Sequence, residues 1–165
     1  MKSIGIKNLR SLKNVEQIEI KPITILVGRN SSGKSTFLRI FPLLKQTLEA
    51  KTAEPILWYG KYVDFGDYDQ SKTHNEKEDI ELTFGLEIPD VSKISTKSTV
   101  FVDDRDKKME ATATFSLKKQ VVSSINVSIK DQNFRLNFNS LSLSAIDIKT
   151  SPCLTKISRN VHFQQ

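Results

Sequence analysis

One cysteine, Cys153, stands in 165 residues. A lone cysteine excludes an internal disulfide, and the compartment it implies is a reducing cytoplasm. The residue itself reads as a small buried hydrophobe. No apolar run reaches the roughly 18 residues that a membrane-spanning helix needs, so no membrane association is expected. The opening Met1-Lys2-Ser3-Ile4-Gly5 has no apolar signal-peptide core. Hydrophobic residues make up only 38% of the chain, enough for a core but low for a compact enzyme. Some apolar surface is therefore expected to face neighbours. Acidic residues are scarce where the chain begins. Residues 1–50 hold nine Lys/Arg and three Asp/Glu, whereas residues 51–165 hold sixteen of each, so the whole net charge of +6 lies in the first fifty. A local positive field suits polyphosphate, and it also suits nucleic acid.

What is present falls into two parts. Residues 3–8 and 15–21 alternate apolar and polar, which predicts an antiparallel pair of strands. Pro22 ends that ladder. Ile23-Thr24-Ile25-Leu26-Val27 is a continuous β-branched run, as expected of a buried central strand. Phe37, Phe41, Leu44 and Leu48 then mark one face of a helix from about Gly33 to Glu49, with Pro42 expected to kink it near Leu38. Residues 50–78 read as a long loop with an aromatic patch at Trp58, Tyr59 and Tyr62. From Asp79 the period is two: Asp79 to Ile88, Thr99 to Val102, Ala111 to Leu117, Val121 to Ile129 and Phe134 to Phe138 alternate between polar turns. There is no helical period between 79 and 140, and no internal repeat.

Between strand and helix, Gly28-Arg29-Asn30-Ser31-Ser32-Gly33-Lys34-Ser35 fits G-x-x-x-x-G-K-[ST] in full. A loop wrapped around polyphosphate must turn backbone N–H groups inward, and the two glycines allow that path. The helix that follows offers unpaired N–H groups and a positive dipole end to an anion. Lys34 is long enough to reach the terminal phosphates, and the Ser35 hydroxyl suits Mg²⁺. The ligands so implied are ATP and Mg²⁺, with Ser35 as the metal-binding residue and Thr36 next to it. At ordinary residue frequencies a chain of this length shows the pattern by chance in about half a percent of cases.

The stretch Ile6-Lys7-Asn8-Leu9-Arg10-Ser11-Leu12, a strand, and then Ile25 to Thr36 resembles the opening of an ABC-type ATPase head of the RecF/SMC-like group. Leu9 stands where that group usually has phenylalanine. The resemblance implies that Asn30 lies by the phosphates and Arg10 and Ser11 near the nucleotide edge. Further on, Tyr62-Val63-Asp64-Phe65-Gly66-Asp67-Tyr68, His74-Asn75 and Ile80 to Phe84 are similar to a stretch of bacterial anti-phage defence ATPases of the OLD-like and Septu-like, retron-linked groups. There it corresponds roughly to the Q-loop, which nominates Gln70 and His74. His74 equally suits a solvated loop.

The fold class implied is α/β: a P-loop NTPase lobe of ABC-ATPase type with N-terminal antiparallel strands and a following antiparallel β meander. Residues 1–78 would form the nucleotide-binding part, 79–140 a β lobe of the same head, and 141–165 a connection. The resemblance further implies a homodimer or higher oligomer around nucleotide, with a nuclease partner and nucleic acid. A non-catalytic nucleotide-sensing scaffold is the alternative. Hydrolysis would need a carboxylate pair at the end of an apolar strand. Val100-Phe101-Val102-Asp103-Asp104 is the nearest approach, but a charged turn follows it, which reads as a hairpin edge. Leu141-Ser142-Leu143-Ser144 lacks the glycine of a signature sequence. Catalytic residues are therefore expected outside these 165. A small P-loop kinase would carry its loop on the first strand and βα units after it, neither of which is seen. A GTPase is disfavoured because no Asn-Lys-x-Asp motif is present.

Overall fold

Alternation of apolar and polar residues builds most of this molecule. In the computed structural model, which describes residues 1–50, 52, 54–89, 108–119, 121–130, 132–139 and 142–150, seven strands form one antiparallel sheet. The strands are β1 (Ser3–Leu9), β2 (Leu12–Glu19), β3 (Ile80–Pro89), β4 (Lys108–Lys118), β5 (Val121–Ile129), β6 (Gln132–Asn139) and β7 (Ser142–Thr150), in the order β2-β1-β3-β4-β5-β6-β7. The register explains why the period of two matters. Ile6 lies opposite Leu82, Leu82 opposite Phe115, Phe115 opposite Ile125, Ile125 opposite Leu136 and Leu136 opposite Ile146. The neighbouring row is polar: Thr83 opposite Thr114, Thr114 opposite Asn126, Asn126 opposite Arg135 and Arg135 opposite Asp147. One face is thus apolar across six strands, and a one-residue slip would turn it to solvent. The strand β7 lies in the stretch expected to be a mere connection. Its own alternation is limited to Ile146 and Ile148, with Ser144 and Ser142 at the preceding alternate positions, so the sequence signal is weak.

Helix α1 (Lys34–Ala50) follows the glycine loop and passes through Pro42 without a break. Its buried side chains are Phe37, Ile40, Leu43 and Gln46, and the first three pack in one core cluster with Ile4, Ile6, Leu9, Leu12, Ile80 and Leu82. The expected face, Phe37-Phe41-Leu44-Leu48, is therefore rotated: Phe41 and Leu44 are half-buried, and Leu48 is 82% exposed. The physical reason is Gln46, a polar residue that carries its own partners inward. Its amide nitrogen donates to the carbonyls of Leu57 (2.6 Å) and Val63 (3.1 Å), and its oxygen accepts from the N–H groups of Tyr62 (3.0 Å) and Val63 (2.9 Å). A buried amide satisfied this fully is tolerated in a core, and it pins the loop 57–63 to the helix.

Two expectations about the fold need correction. The run Ile23–Val27 is not a strand and is not buried. Ile23, Ile25 and Val27 are 82%, 79% and 90% exposed, and only Leu26 touches the core. A central strand needs neighbours, and among the described residues none pairs with this run. The ladder ends just before it, where Ile20 donates to the Lys2 carbonyl and Pro22 follows. Of the expected fold class, the N-terminal antiparallel strands and the following antiparallel meander are present, whereas the layered α/β arrangement of an ABC-type head is not evident among the described residues. They form an antiparallel sheet with two helices, α1 and the single turn α2 (Tyr68–Ser71).

The loop that carries α2 is tied to the sheet by Tyr68, a buried residue whose hydroxyl donates to the Leu117 carbonyl (2.7 Å) on β4 and lies 3.3 Å from the Asp79 carboxylate. Burial, then the Asp79 charge, pushes the phenol up to about 12 from its ordinary 10. The fold thus favours the protonated phenol, so this stabilisation is complete below pH 10 and is lost as pH rises from 10 to about 12. Tyr68→Phe is expected to be less stable than the parent by about 1 kcal/mol at neutral pH, the net worth of one hydrogen bond. That gap should close across the alkaline window, as read by denaturant melts at stepped pH. A gap that stays constant to the top of the window would show that the phenol is not shifted.

Candidate functional site

The glycine loop is placed by the turn between β1 and β2. Gly33 has φ +95°, a left-handed backbone that favours glycine, and a Cβ there would run into the Leu12 side chain and come within 3.1 Å of Ser11 Oγ. The hairpin therefore lies directly against the loop, which is why both segments line one cleft. Ser31 is also left-handed, at φ +61°. The first helical hydrogen bond runs from Phe37 N to Gly33 O (2.8 Å), which leaves the N–H groups of Lys34, Ser35 and Thr36 at the open end of α1.

The cleft has a volume of about 480 Å³ and is lined by Arg10, Ser11, Asn30, Ser31, Gly33, Lys34, Ser35 and Thr36. That volume is in the range of small-ligand sites. No carboxylate is among the eight lining residues, whereas two are cations and four carry hydroxyls. The Lys34 ammonium lies within the loop and donates to the carbonyls of Gly28 (2.6 Å) and Arg29 (2.6 Å). Arg29 and Asn30 are exposed. Cations, hydroxyls and free helical N–H groups with no opposing acid form a donor set for an oligoanion, so the residues present fit a nucleotide polyphosphate. No group of three His, Cys, Asp or Glu side chains able to hold a metal occurs among the described residues. Ser35 is then left as the one expected Mg²⁺ contact from the loop.

The second sequence stretch meets the cleft indirectly. Arg10, in the β1–β2 turn, has φ +52° and Asn8 has φ +57°. Such conformations cost on the order of 1–3 kcal/mol each in a non-glycine residue and persist where surrounding contacts enforce them. Here the enforcement comes from residues 65–79. Arg10 N donates to Ser71 O (2.7 Å), Thr73 N donates to Asn8 O (2.9 Å), and Asn8 Nδ2 donates to Asp79 O (3.2 Å). The Arg10 guanidinium lies over the buried Phe65 ring, 5.1 Å from its centroid. The aspartates of the same stretch build its turns. Asp64 accepts from Gly66 N (2.8 Å), and Asp67 caps α2 by accepting from Gln70 N (2.8 Å).

The structure therefore brings together Arg10, Asn30, Ser31, Gly33, Lys34, Ser35 and Thr36, with Gly28, Arg29 and Ser32 in the same loop. Gln70 is exposed on α2 and His74 is exposed in the turn after it, and neither lines the cleft. Asp103, Asp104 and Cys153 lie outside the described residues. Ser11, expected near the nucleotide edge, lines the cleft beside Arg10, whereas sequence reasoning left Phe65 without a role of its own. The signal for Phe65 was available only as an aromatic in a turn-rich stretch, with nothing to say that Arg10 would lie on it.

Among the described residues, no helix is long and apolar enough to cross a membrane. No curated protein and no solved structure matches the chain. A family model described as an AAA ATPase domain matches residues 1–162, nearly the whole length, with the glycine loop inside the match. The donor-lined cleft at the glycine loop agrees with that match, and the chain belongs to the AAA ATPase domain family of ATP-binding ATPases.

Proposed function

We propose that this chain binds Mg²⁺-ATP at Gly28–Thr36 as the nucleotide-binding part of an ABC-type head of the RecF/SMC-like group, and that two heads close around the nucleotide. The observation that carries the nucleotide reading is a cleft whose described lining residues include two cations and no carboxylate, with the Lys34 ammonium inside its loop. The Gly28 and Arg29 carbonyls hold that ammonium through exposed hydrogen bonds, which a phosphate can replace with stronger charge-assisted ones. The loop and helix N–H groups would then donate to phosphate oxygens, and the Ser35 hydroxyl would be the loop's ligand for Mg²⁺. Bound ATP supplies the phosphoanhydride whose hydrolysis drives the cycle.

Two features support association. Arg29 and Asn30 stand exposed at the rim, and Ile23, Ile25, Val27 and Leu38 present apolar surface nearby in the chain. The work in anti-phage defence or DNA metabolism, with a nuclease partner and nucleic acid, is the part that rests on the Tyr62–Tyr68 and His74-Asn75 resemblance and on the positive charge of residues 1–50. A second reading, a nucleotide-sensing scaffold without turnover, is supported by there being no carboxylate among the described residues that line the cleft to act as general base.

Sedimentation of the protein with ATP, with ADP and without nucleotide tests the assembly. The expected result is a dimer that tightens with ATP and not with ADP, because a ligand shifts an equilibrium only by its differential affinity for the two states. A monomer in all three conditions, with ATP binding intact, would leave an ordinary closed nucleotide cleft and remove the two-headed reading.

A further inference from the structure

We propose that Phe65 is a positioning residue for nucleotide binding: its ring holds the Arg10 guanidinium at the cleft. The inference rests on the nucleotide reading of that cleft and goes beyond it by assigning the 65–73 segment a task there. Arg10 lines the cleft with Lys34 and Ser35. It is exposed, and no carboxylate pairs with it among the described ion pairs. A free arginine at a surface turn samples many rotamers, and ordering it on a ligand costs affinity. Phe65 reduces that cost, because its buried ring offers a face 5.1 Å from the guanidinium, within cation–π range.

The ring is itself fixed. Phe65 N donates to Trp58 O (2.9 Å), and Ser71 Oγ donates to Phe65 O (3.2 Å), while Ser71 O takes the Arg10 N–H (2.7 Å). Leu9 and Lys72 form a β-bridge beside these contacts. Backbone and side chain of Arg10 are thus both held by one segment, and the left-handed φ of Arg10 is the sign that the turn is held against its own preference. A contact whose only purpose was packing would bury an apolar residue on Phe65, not leave a cation on it at the edge of a phosphate-binding cleft.

Calorimetric titration of the whole chain with Mg²⁺-ATP tests this. Phe65→Leu, which keeps an apolar side chain but removes the ring face, is expected to weaken ATP about three- to five-fold. Phe65→Tyr should restore binding to within about two-fold, since the ring face remains. In an Arg10→Ala background, Phe65→Leu should cost no further affinity, as a shared interaction requires in a double-mutant cycle. Melting curves of each variant separate loss of packing from loss of positioning, because the packing loss persists in the Arg10→Ala background. Equal weakening by Phe65→Leu with and without Arg10 would overturn the inference. So would unchanged affinity in Phe65→Leu alongside a large loss in Lys34→Ala, which leaves the nucleotide reading standing. No loss in either Lys34→Ala or Arg10→Ala would sink both.

Discussion

Lys34→Ala is expected to weaken Mg²⁺-ATP binding roughly 10- to 100-fold, the worth of one charge-assisted hydrogen bond to an anion. The fold should survive the change. Lys34 makes its two hydrogen bonds to the carbonyls of Gly28 and Arg29 at an exposed site, and water can satisfy both oxygens once the ammonium is gone. The loss therefore falls on the bound state. Arg10 stays in the cleft, so residual affinity is expected to remain and to be more salt-sensitive than the parent's, since the remaining cation is exposed. Calorimetry on parent and variant at two salt concentrations checks both statements. Equal affinity with and without Lys34 would mean that nucleotide does not enter this loop, whatever the family membership says about the domain.

The parts of the molecule legible in the sequence are those whose signal is local. The glycine loop declares itself because each fixed position has a reason in phosphate binding, and the strands β3 to β6 declare themselves because apolar and polar residues alternate along them. The errors come from partners that lie far off in sequence. Gln46 lies off the apolar face named from the sequence, but the carbonyls of Leu57 and Val63 lie beside it, and its burial rotates the helix away from Leu48. Phe65 reads as a turn aromatic until Arg10 is found over it. Gln70 and His74, nominated by resemblance, are exposed outside the cleft lining, and in the same segment the backbone of Ser71 and the ring of Phe65 touch Arg10.

The run Ile23–Val27 is the sharpest of these cases, and it yields a large and opposed pair of effects. The sequence puts Ile25 in a buried central strand and leaves Ile40 off the named face of the helix, Phe37-Phe41-Leu44-Leu48. The structure separates them: Ile40 is 0% exposed in the cluster with Ile4, Leu43 and Ile80, and Ile25 is 79% exposed. Ile40→Ala should remove buried methyl groups and leave a cavity between α1 and the sheet, at a cost of about 2–5 kcal/mol. Ile25→Ala removes surface that water already covers and should change stability by less than about 0.5 kcal/mol. In urea the two variants are expected to part by on the order of 1–2 M in midpoint. The same measurement distinguishes an isolated chain from an assembled one. If Ile25→Ala costs as much as Ile40→Ala, then the run is buried in the native protein against strands that the described residues do not supply. The central-strand reading of the sequence would then hold for the assembly. If the cost stays small until a partner is added, the run is the surface on which that assembly is built.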